Sequence, residues 1–203
     1  LIAVPVGVAA AIFLTEYTSS ANKFVAVVRM AAETLAGIPS IVYGIFGMIL
    51  FVEMLFKGFS LIAGILTMAI MILPLVMRTT EEALRAVPDS FREGSFALGA
   101  GKLRTIFRVV LPSAMPGIIA GVILALGRVV GETAALIYTS GTVKAVPDSL
   151  FGSGETLAIH MYTLSSEGLH VNEAWATAIV LILLVLVING AAEFISNKFR
   201  KRY

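Results

Sequence analysis

The sequence predicts an all-α membrane protein with about five transmembrane helices. Its 203 residues are 58% hydrophobic and only 14% charged, and the mean hydropathy is +0.94. Soluble domains usually carry more charge, and apolar runs of about 20 residues are long enough to cross a bilayer. Basic residues are also concentrated in every second connection between these runs, which is typical of a chain that crosses the membrane repeatedly.

Five apolar runs are the candidate transmembrane helices. They are Leu1 to about Leu14, about Ile38 to Phe56, about Phe59 to Met77, about Ala114 to Tyr138, and about Ala174 to Ile195. The segment from Lys23 to Leu35 is amphipathic at helical spacing, so we expect a helix at the cytoplasmic membrane surface. Because the chain starts inside an apolar run and without Met, we expect it to be a fragment of a longer protein with an upstream N-terminal segment.

The distribution of Lys and Arg predicts how the chain is oriented in the cell membrane. In a cell with two membranes, we expect this to be the inner membrane. Basic residues cluster between the third and fourth runs and at the C-terminus: Arg78, Arg85, Arg92, Lys102, Arg104, Arg108, Lys198, Arg200, Lys201 and Arg202. The 141–173 segment holds only Lys144 among its basic residues. An excess of Lys and Arg marks the cytoplasmic side, so we expect the 78–112 loop and the C-terminus inside and the 141–173 loop outside.

Composition also excludes several kinds of partner and site. The net charge of only +2 does not suggest nucleic-acid binding. The absence of cysteine excludes disulfides and thiolate metal sites. His160 and His170 lie in the outer loop without carboxylates at ligand spacing, so we expect solvated loop residues and no metal site.

A polar segment between the third and fourth runs has the strongest pattern. Ser90 and Glu93 fit a capping box, which predicts a helix from Ser90 to about Leu98. The run Gly99-Ala100-Gly101 permits a tight turn, and a second helix from Lys102 to Val110 would lead through Leu111-Pro112 into the fourth run. Taken alone, the pattern leaves an ordinary cytoplasmic connector and a docking element equally open.

The spacing of this segment resembles the EAA loop of ABC-importer permeases. The family has Glu, two small residues, Gly six positions after the Glu, and later a hydrophobic residue, any residue, Leu and Pro. Here these are Glu93, Gly94, Ser95, Gly99, Val109, Leu111 and Pro112, with Gly94 and Ser95 where two alanines are usual. The resemblance implies a MetI-like type I permease domain over residues 1–203, with a cytoplasmic coupling loop at 78–112 that docks on a separate ATPase.

The residues that the resemblance assigns to ATPase coupling are Glu93, Gly94, Ser95, Leu98, Gly99, Ala100, Leu111 and Pro112. The chain itself is not expected to hydrolyse ATP. The run Gly99-Ala100-Gly101-Lys102 is not a phosphate-binding loop, because Phe96 and Leu103 stand where that loop needs Gly and Ser or Thr.

Two charged residues lie in the fourth apolar run, Arg128 and Glu132. Four positions apart, they would share one face of a continuous helix. A charge at the bilayer centre costs about 2.5–3.5 kcal/mol, so such residues usually face a bundle interior or a pathway. The pair is either a mutually neutralising structural pair or a substrate site in which the arginine fork meets oxyanion oxygens.

Two segments are similar to phosphate-importer permeases. They are Gly121 to Ala134, which ends in Gly131-Glu132-Thr133-Ala134, and Ile38 to Gly47, which begins Ile38-Pro39-Ser40. The segments 135–140, 5–7 and 15–17 are more similar to the A-type (PstA) subunit than to its C-type partner. The resemblance implies import of inorganic phosphate along a pathway that includes Arg128, Glu132 and Thr133.

The same resemblance implies the partners. They are a pair of ABC ATPase subunits (PstB-like), a second permease subunit (PstC-like), a phosphate-binding protein (PstS-like), phosphate itself and membrane lipid. It implies no catalytic residue and no cofactor in this chain, since ATP and Mg²⁺ are bound by the ATPase.

Alternatives remain. Within the same class, the chain would be a C-type subunit or a permease for another oxyanion. An ion-driven secondary transporter predicts inverted repeats and intramembrane ion ligands, and no repeat is visible. A non-transporting membrane scaffold would not need an intramembrane arginine.

Two smaller expectations concern packing and surface charge. The pairs Gly44/Gly47, Gly117/Gly121 and Gly127/Gly131 allow close helix packing or line a pathway. Arg29 and Glu33, four apart on the amphipathic segment, predict a surface ion pair.

Overall fold

The computed structural model describes residues 1–18, 22–168 and 170–200, and within these ranges the chain is helical with no strand. The α-helices are α1 (Ala3–Ile12), α2 (Lys23–Ala36), α3 (Ser40–Gly47), α4 (Leu61–Arg85), α5 (Asp89–Ala97), α6 (Lys102–Thr105), α7 (Leu111–Val130), α8 (Ala134–Ile137), α9 (Leu157–Glu167) and α10 (Val171–Arg200). Three π-helical segments extend α1, α3 and α6, namely π1 (Phe13–Tyr17), π2 (Met48–Leu55) and π3 (Ile106–Val110). Lys201 and Arg202 of the predicted basic C-terminus lie outside the described residues.

Apolar helices occupy all five predicted positions. Three are long and apolar enough to cross a membrane by themselves: Leu61–Arg85, the continuous helix Lys102–Val130, and Val171–Phe194. The helices Lys23–Ala36 and Ser40–Leu55 pass the same test only together, with a bend of 99° between them, so the described residues hold up to four spans. The predicted helix in the amphipathic segment is confirmed as α2.

The fourth predicted run is interrupted, which corrects the boundary at Tyr138. Helix α7 ends at Val130, and the short helix α8 begins only at Ala134. Gly131 follows the last helical residue, and glycine has a low helix propensity because its backbone loses the most freedom on ordering. The Glu132 carboxylate then accepts a hydrogen bond from the Ala135 N–H at 3.1 Å, which supports the start of a new helix.

The predicted capping box is wrong. Helix α5 begins at Asp89 with Pro88 at the N-cap position, and no side chain caps it. The φ of −58° at Pro88 is already close to helical, and proline lacks the N–H that would need a partner there. Asp89 lies in the first turn, where a negative charge interacts favourably with the helix dipole.

One compact unit contains residues 1–36, residues 73–125 and the end of α10 from Gly190. Its buried core consists of Ala11, Leu14, Val25, Ala32, Met77, Leu84, Val87, Val110, Ala114 and Ile118. Close packing by Gly117 and Gly121 is confirmed. A Cβ on Gly117 would lie 2.7 Å from the Cβ of Ala83, and one on Gly121 would meet Thr79, so α7 approaches α4 closely at both positions.

The other compact unit contains residues 37–72 and 126–189. Phe51, Val52 and Ala63 form a small buried cluster in it. Close packing is also confirmed for Gly44, because a Cβ there would lie 2.9 Å from the Cα of Ala135, which brings α3 against α8.

The loop after α8 forms backbone hydrogen bonds with the N-terminal end of α4. The Leu61 N–H donates to the Gly152 carbonyl at 3.0 Å and the Ile62 N–H to the Leu150 carbonyl at 2.9 Å. These bonds satisfy donors that the first turn of a helix leaves without an intrahelical partner.

Candidate functional site

The coupling loop is a helix–turn–helix in which Gly99 makes the turn. Gly99 has φ +80°, a left-handed conformation that glycine adopts without steric cost. The turn is closed by the Gly99 N–H to the Phe96 carbonyl at 2.9 Å and the Ala100 N–H to the Ser95 carbonyl at 3.1 Å. The Ser95 and Thr105 hydroxyls, 2.8 Å apart, join α5 to α6. The predicted tight turn is therefore confirmed.

The coupling loop exposes apolar and small residues together. Leu98 is 90% exposed, and Phe91 and Phe96 are each about half exposed. A Cβ added at Gly94 or Gly99 would meet no atom within 4 Å. Apolar side chains beside open backbone suit a loop that enters a groove on a partner, because they lose little polar solvation when they are covered. Glu93, on α5, is also exposed.

Two of the predicted coupling residues lie elsewhere. Leu111 is partly buried and packs against the core of its unit, and Pro112 lies in the first turn of α7. They are not on the exposed surface of the loop; they begin the long helix that follows it. The π-helical segment π3 precedes Pro112 and belongs to the continuous helix Lys102–Val130.

Arg92 anchors the coupling loop to the rest of its compact unit through contacts that no local sequence pattern predicts. Its guanidinium lies 2.7 Å from the Glu16 carboxylate and also donates to the carbonyls of Leu84 at 2.9 Å and Val87 at 2.8 Å. A further contact joins it to Asp89 at 3.2 Å. Glu16 is 76 positions away along the chain, beyond the reach of any helical spacing rule.

The predicted surface pair of Arg29 and Glu33 is wrong. The Arg29 Nε lies 3.2 and 3.3 Å from the two carboxylate oxygens of Glu81, and its Nη2 donates to the Leu14 carbonyl at 3.4 Å. Glu81 is buried and Glu33 is exposed. An arginine partner stabilises a buried carboxylate far more than an exposed one, which explains why Arg29 pairs with Glu81 and not with Glu33.

Arg128 and Glu132 do not share a helix face, because α7 ends between them. Arg128 is partly buried in the last turn of α7, and its guanidinium interacts electrostatically with the Tyr43 hydroxyl. Within the described ranges it forms no ion pair with a carboxylate. Glu132 is only 9% exposed, and one of its oxygens is bound to the Ala135 N–H. Thr133 is the N-cap residue of α8 and is partly buried.

The break at residues 131–133 therefore brings irregular backbone, a buried carboxylate and a hydroxyl close in sequence to Arg128. Irregular backbone within a membrane is tolerated only where it is buried in protein or lines a water-filled cavity. A charged residue in an apolar span is likewise a functional candidate. A guanidinium such as that of Arg128 has the chemistry to bind an oxyanion. The Thr133 hydroxyl, five positions further along the chain, donates to the Gly131 carbonyl at 3.5 Å.

The expectation for His160 is wrong. It lies on α9, where its Nδ1 is 2.6 Å from a carboxylate oxygen of Glu155, so it is a partly buried paired residue and not a solvated loop residue. In the part of the chain that the structure describes, no group of three or more His, Asp or Glu could hold a metal ion.

Comparison with known proteins gives one consistent family. The family model described as "Binding-protein-dependent transport system inner membrane component" matches residues 3–201. A "Probable ABC transporter permease protein YqgI" of Bacillus subtilis is 37% identical over 219 residues, which cover 100% of this chain and 74% of the relative. The "Phosphate transport system permease protein PstA" of Mycobacterium leprae is 41% identical and that of Xylella fastidiosa 36%.

The matches to the two phosphate permeases cover 95% of this chain and 64% and 68% of the relatives, so the chain spans about two thirds of their length. A solved structure of the MetNI methionine ABC transporter aligns with a TM-score of 0.79 over 98% of this chain and 88% of that chain. Its sequence identity is 20%, so this likeness shows the fold, which is of the MetI type. The chain belongs to the family of binding-protein-dependent transport system inner membrane components, the permease subunits of ABC importers.

Proposed function

We propose that this chain forms half of the translocation pathway of an ATP-driven importer of inorganic phosphate. The observation that carries the proposal is the partly buried Arg128, which has no carboxylate partner among the described residues. It is supported by similarity to permeases named for phosphate transport over nearly the whole chain.

The chemistry of the break suits a tetrahedral oxyanion. The planar guanidinium of Arg128 offers several N–H donors in a fork that matches phosphate oxygens. Glu132 has one oxygen bound to backbone, and its negative charge balances the arginine so that phosphate binds weakly enough to be released. A carboxylate can also accept a hydrogen bond from protonated phosphate, which sulfate does not offer near neutral pH. The Thr133 hydroxyl supplies a further donor or acceptor.

The partners follow from the same proposal. A pair of ABC ATPase subunits (PstB-like) docks on the 78–112 loop and binds ATP and Mg²⁺, while this chain binds no cofactor and catalyses no reaction. The exposed Leu98, Phe91 and Phe96 support that docking. A second permease subunit (PstC-like) forms the other half of the pathway, and a phosphate-binding protein (PstS-like) delivers phosphate at the 141–173 side. The Lys and Arg distribution supports a cytoplasmic position for the coupling loop.

Hydrolysis of ATP by the assembled complex tests the proposal. The full-length protein is co-expressed with its partner permease and ATPase subunits, purified and placed in lipid nanodiscs. We expect the ATPase to co-purify and its hydrolysis rate to rise when phosphate-loaded binding protein is added. Sulfate should not replace phosphate. An ATPase that does not co-purify, or one stimulated by another solute and not by phosphate, would contradict the proposal.

A further inference from the structure

We propose that Arg92 is a positioning residue that transmits movement of the docked coupling loop to the end of the first apolar helix through Glu16. The inference rests on the proposed function, because it assigns a path by which ATPase movement reaches the permease. Arg92 lies on α5, next to the exposed Phe91 of the docking surface. Glu16 lies on π1, the π-helical end of the first apolar helix.

The contact between the two side chains is short and shielded. The Arg92 Nη2 lies 2.7 Å from one Glu16 carboxylate oxygen, and the Nε lies 3.3 and 3.4 Å from the two oxygens. The side chains are only 16% and 8% exposed. A charge-assisted bond with little water around it holds its geometry, because either charge left alone would be costly to bury. Helix α5 and π1 are therefore expected to move together.

The same guanidinium also holds the end of α4. Its bonds to the carbonyls of Leu84 and Val87 satisfy acceptors at the C-terminal end of that helix. One side chain thus joins α4, α5 and π1, and only the short turn through Pro88 separates α4 from α5.

A second contact joins the coupling loop to π1 independently. The Lys102 ammonium, on α6, lies 5.0 Å from the ring centroid of Tyr17, in cation–π geometry. Both helices of the coupling loop therefore touch π1, one through Glu16 and the other through Tyr17. Single π-helical turns are rare and often occur at functional sites, which favours π1 as the element that receives the movement.

Three single variants separate transmission from simple bracing. Glu16→Gln removes the charged partner but leaves the Arg92 bonds to Leu84 and Val87 in place. Arg92→Gln removes both sets of contacts. Arg85→Gln is the matched control, because Arg85 is exposed and forms no ion pair within the described ranges. Arg85 lines the same cavity of about 430 Å³ as Glu16 and Arg92.

The measurement is phosphate transported per ATP hydrolysed, in proteoliposomes holding the full-length complex. We expect Glu16→Gln and Arg92→Gln to lower this ratio about fivefold or more, the low end of coupling between distinct sites. ATP hydrolysis should continue, and the Arg85→Gln ratio should equal that of the wild type. The double variant Arg92→Glu with Glu16→Arg should recover part of the loss.

An unchanged ratio in an assembled Glu16→Gln complex would overturn the inference. So would a parallel fall of uptake and hydrolysis, or loss of assembly in both single variants, because either result shows a structural brace. If the complex fails to assemble only with Arg92→Gln, the transport ratio of the Glu16→Gln complex decides whether the inference holds. A wild-type complex that hydrolyses ATP without moving phosphate would contradict the proposed function and this inference with it, whereas normal wild-type transport with unaffected variants contradicts the inference alone.

Discussion

The Glu132 carboxylate accepts a hydrogen bond from the Ala135 N–H at 3.1 Å, three positions further along the chain. This bond binds the buried carboxylate to the start of α8. Because α7 ends at Val130, Glu132 does not share a helix face with Arg128, and no ion pair joins the two in the part of the chain that the structure describes.

Glu132→Ala should destabilise the protein, whereas Glu132→Gln should not to the same degree. Loss of a side-chain acceptor at a helix N-terminus costs about 1 kcal/mol, and the glutamine amide oxygen can keep the bond to Ala135. The apparent melting temperature in detergent should fall by about 2–4 °C for alanine, on the scale of domains of this size. Equal effects of the two substitutions would contradict the capping role.

Arg128→Met should reduce phosphate uptake about 10- to 100-fold, because hydrogen bonds to charged groups contribute about 1.5–3 kcal/mol and 1.4 kcal/mol is a factor of ten. The complex should still assemble. Arg128→Lys, the matched control, keeps the charge but not the fork and should lose less. Initial rates of labelled phosphate uptake into proteoliposomes measure the effect, and a methionine variant with the wild-type rate would exclude Arg128 from the pathway.

The C-terminal boundary of α7 was not predicted correctly from the sequence. Hydropathy continues from Ala114 to Tyr138, so it predicts one span. The local stop signal was Gly131, since glycine often follows the last residue of a helix. The small-residue spacing of Gly127 and Gly131 favoured a packing interpretation instead, yet a Cβ on Gly127 would meet no atom within 4 Å.

Gly99→Arg should uncouple the ATPase from transport. The left-handed φ of +80° disfavours any side chain, by about 1–2 kcal/mol, and the large charged side chain would occupy the surface that we propose docks on the ATPase. Gly58→Arg is the control, because its added side chain also starts in open space but lies outside the coupling loop. Transport and ATP hydrolysis are measured on the same complexes. Wild-type transport in Gly99→Arg would refute the docking role of this turn.

Gly47→Ala should destabilise the compact unit that contains residues 37–72 and 126–189. The added Cβ would meet the Thr67 hydroxyl and lie 2.8 Å from the Thr139 Cγ2, and both threonines are fully buried. Overpacking of this kind costs about 1–3 kcal/mol. Gly190→Ala is the matched control, since no atom lies within 4 Å of its Cβ and alanine favours the helix. Thermal unfolding in detergent compares the two, and equal stability would contradict the close packing described here.

The sequence predicted what depends on composition and local pattern, and it missed what depends on distant contacts. Apolar runs placed the helices, and Gly99 placed the turn of the coupling loop. The partners of Arg29 and Arg92 were not predictable, because Glu81 and Glu16 lie 52 and 76 positions away and only the fold brings them near. The capping box at Ser90 was wrong because Pro88 occupies the N-cap position and the helix already begins at Asp89, so two local signals competed.

Uptake of labelled phosphate into proteoliposomes tests the central claim most directly. The full-length protein is reconstituted with its partner permease, ATPase and binding protein, and ATP is supplied on the cytoplasmic side. We predict that labelled phosphate accumulates only when ATP and the binding protein are present. Unlabelled phosphate should suppress this accumulation, and sulfate should not. No ATP-dependent accumulation of phosphate by the assembled complex, or equal suppression by sulfate, would contradict this account.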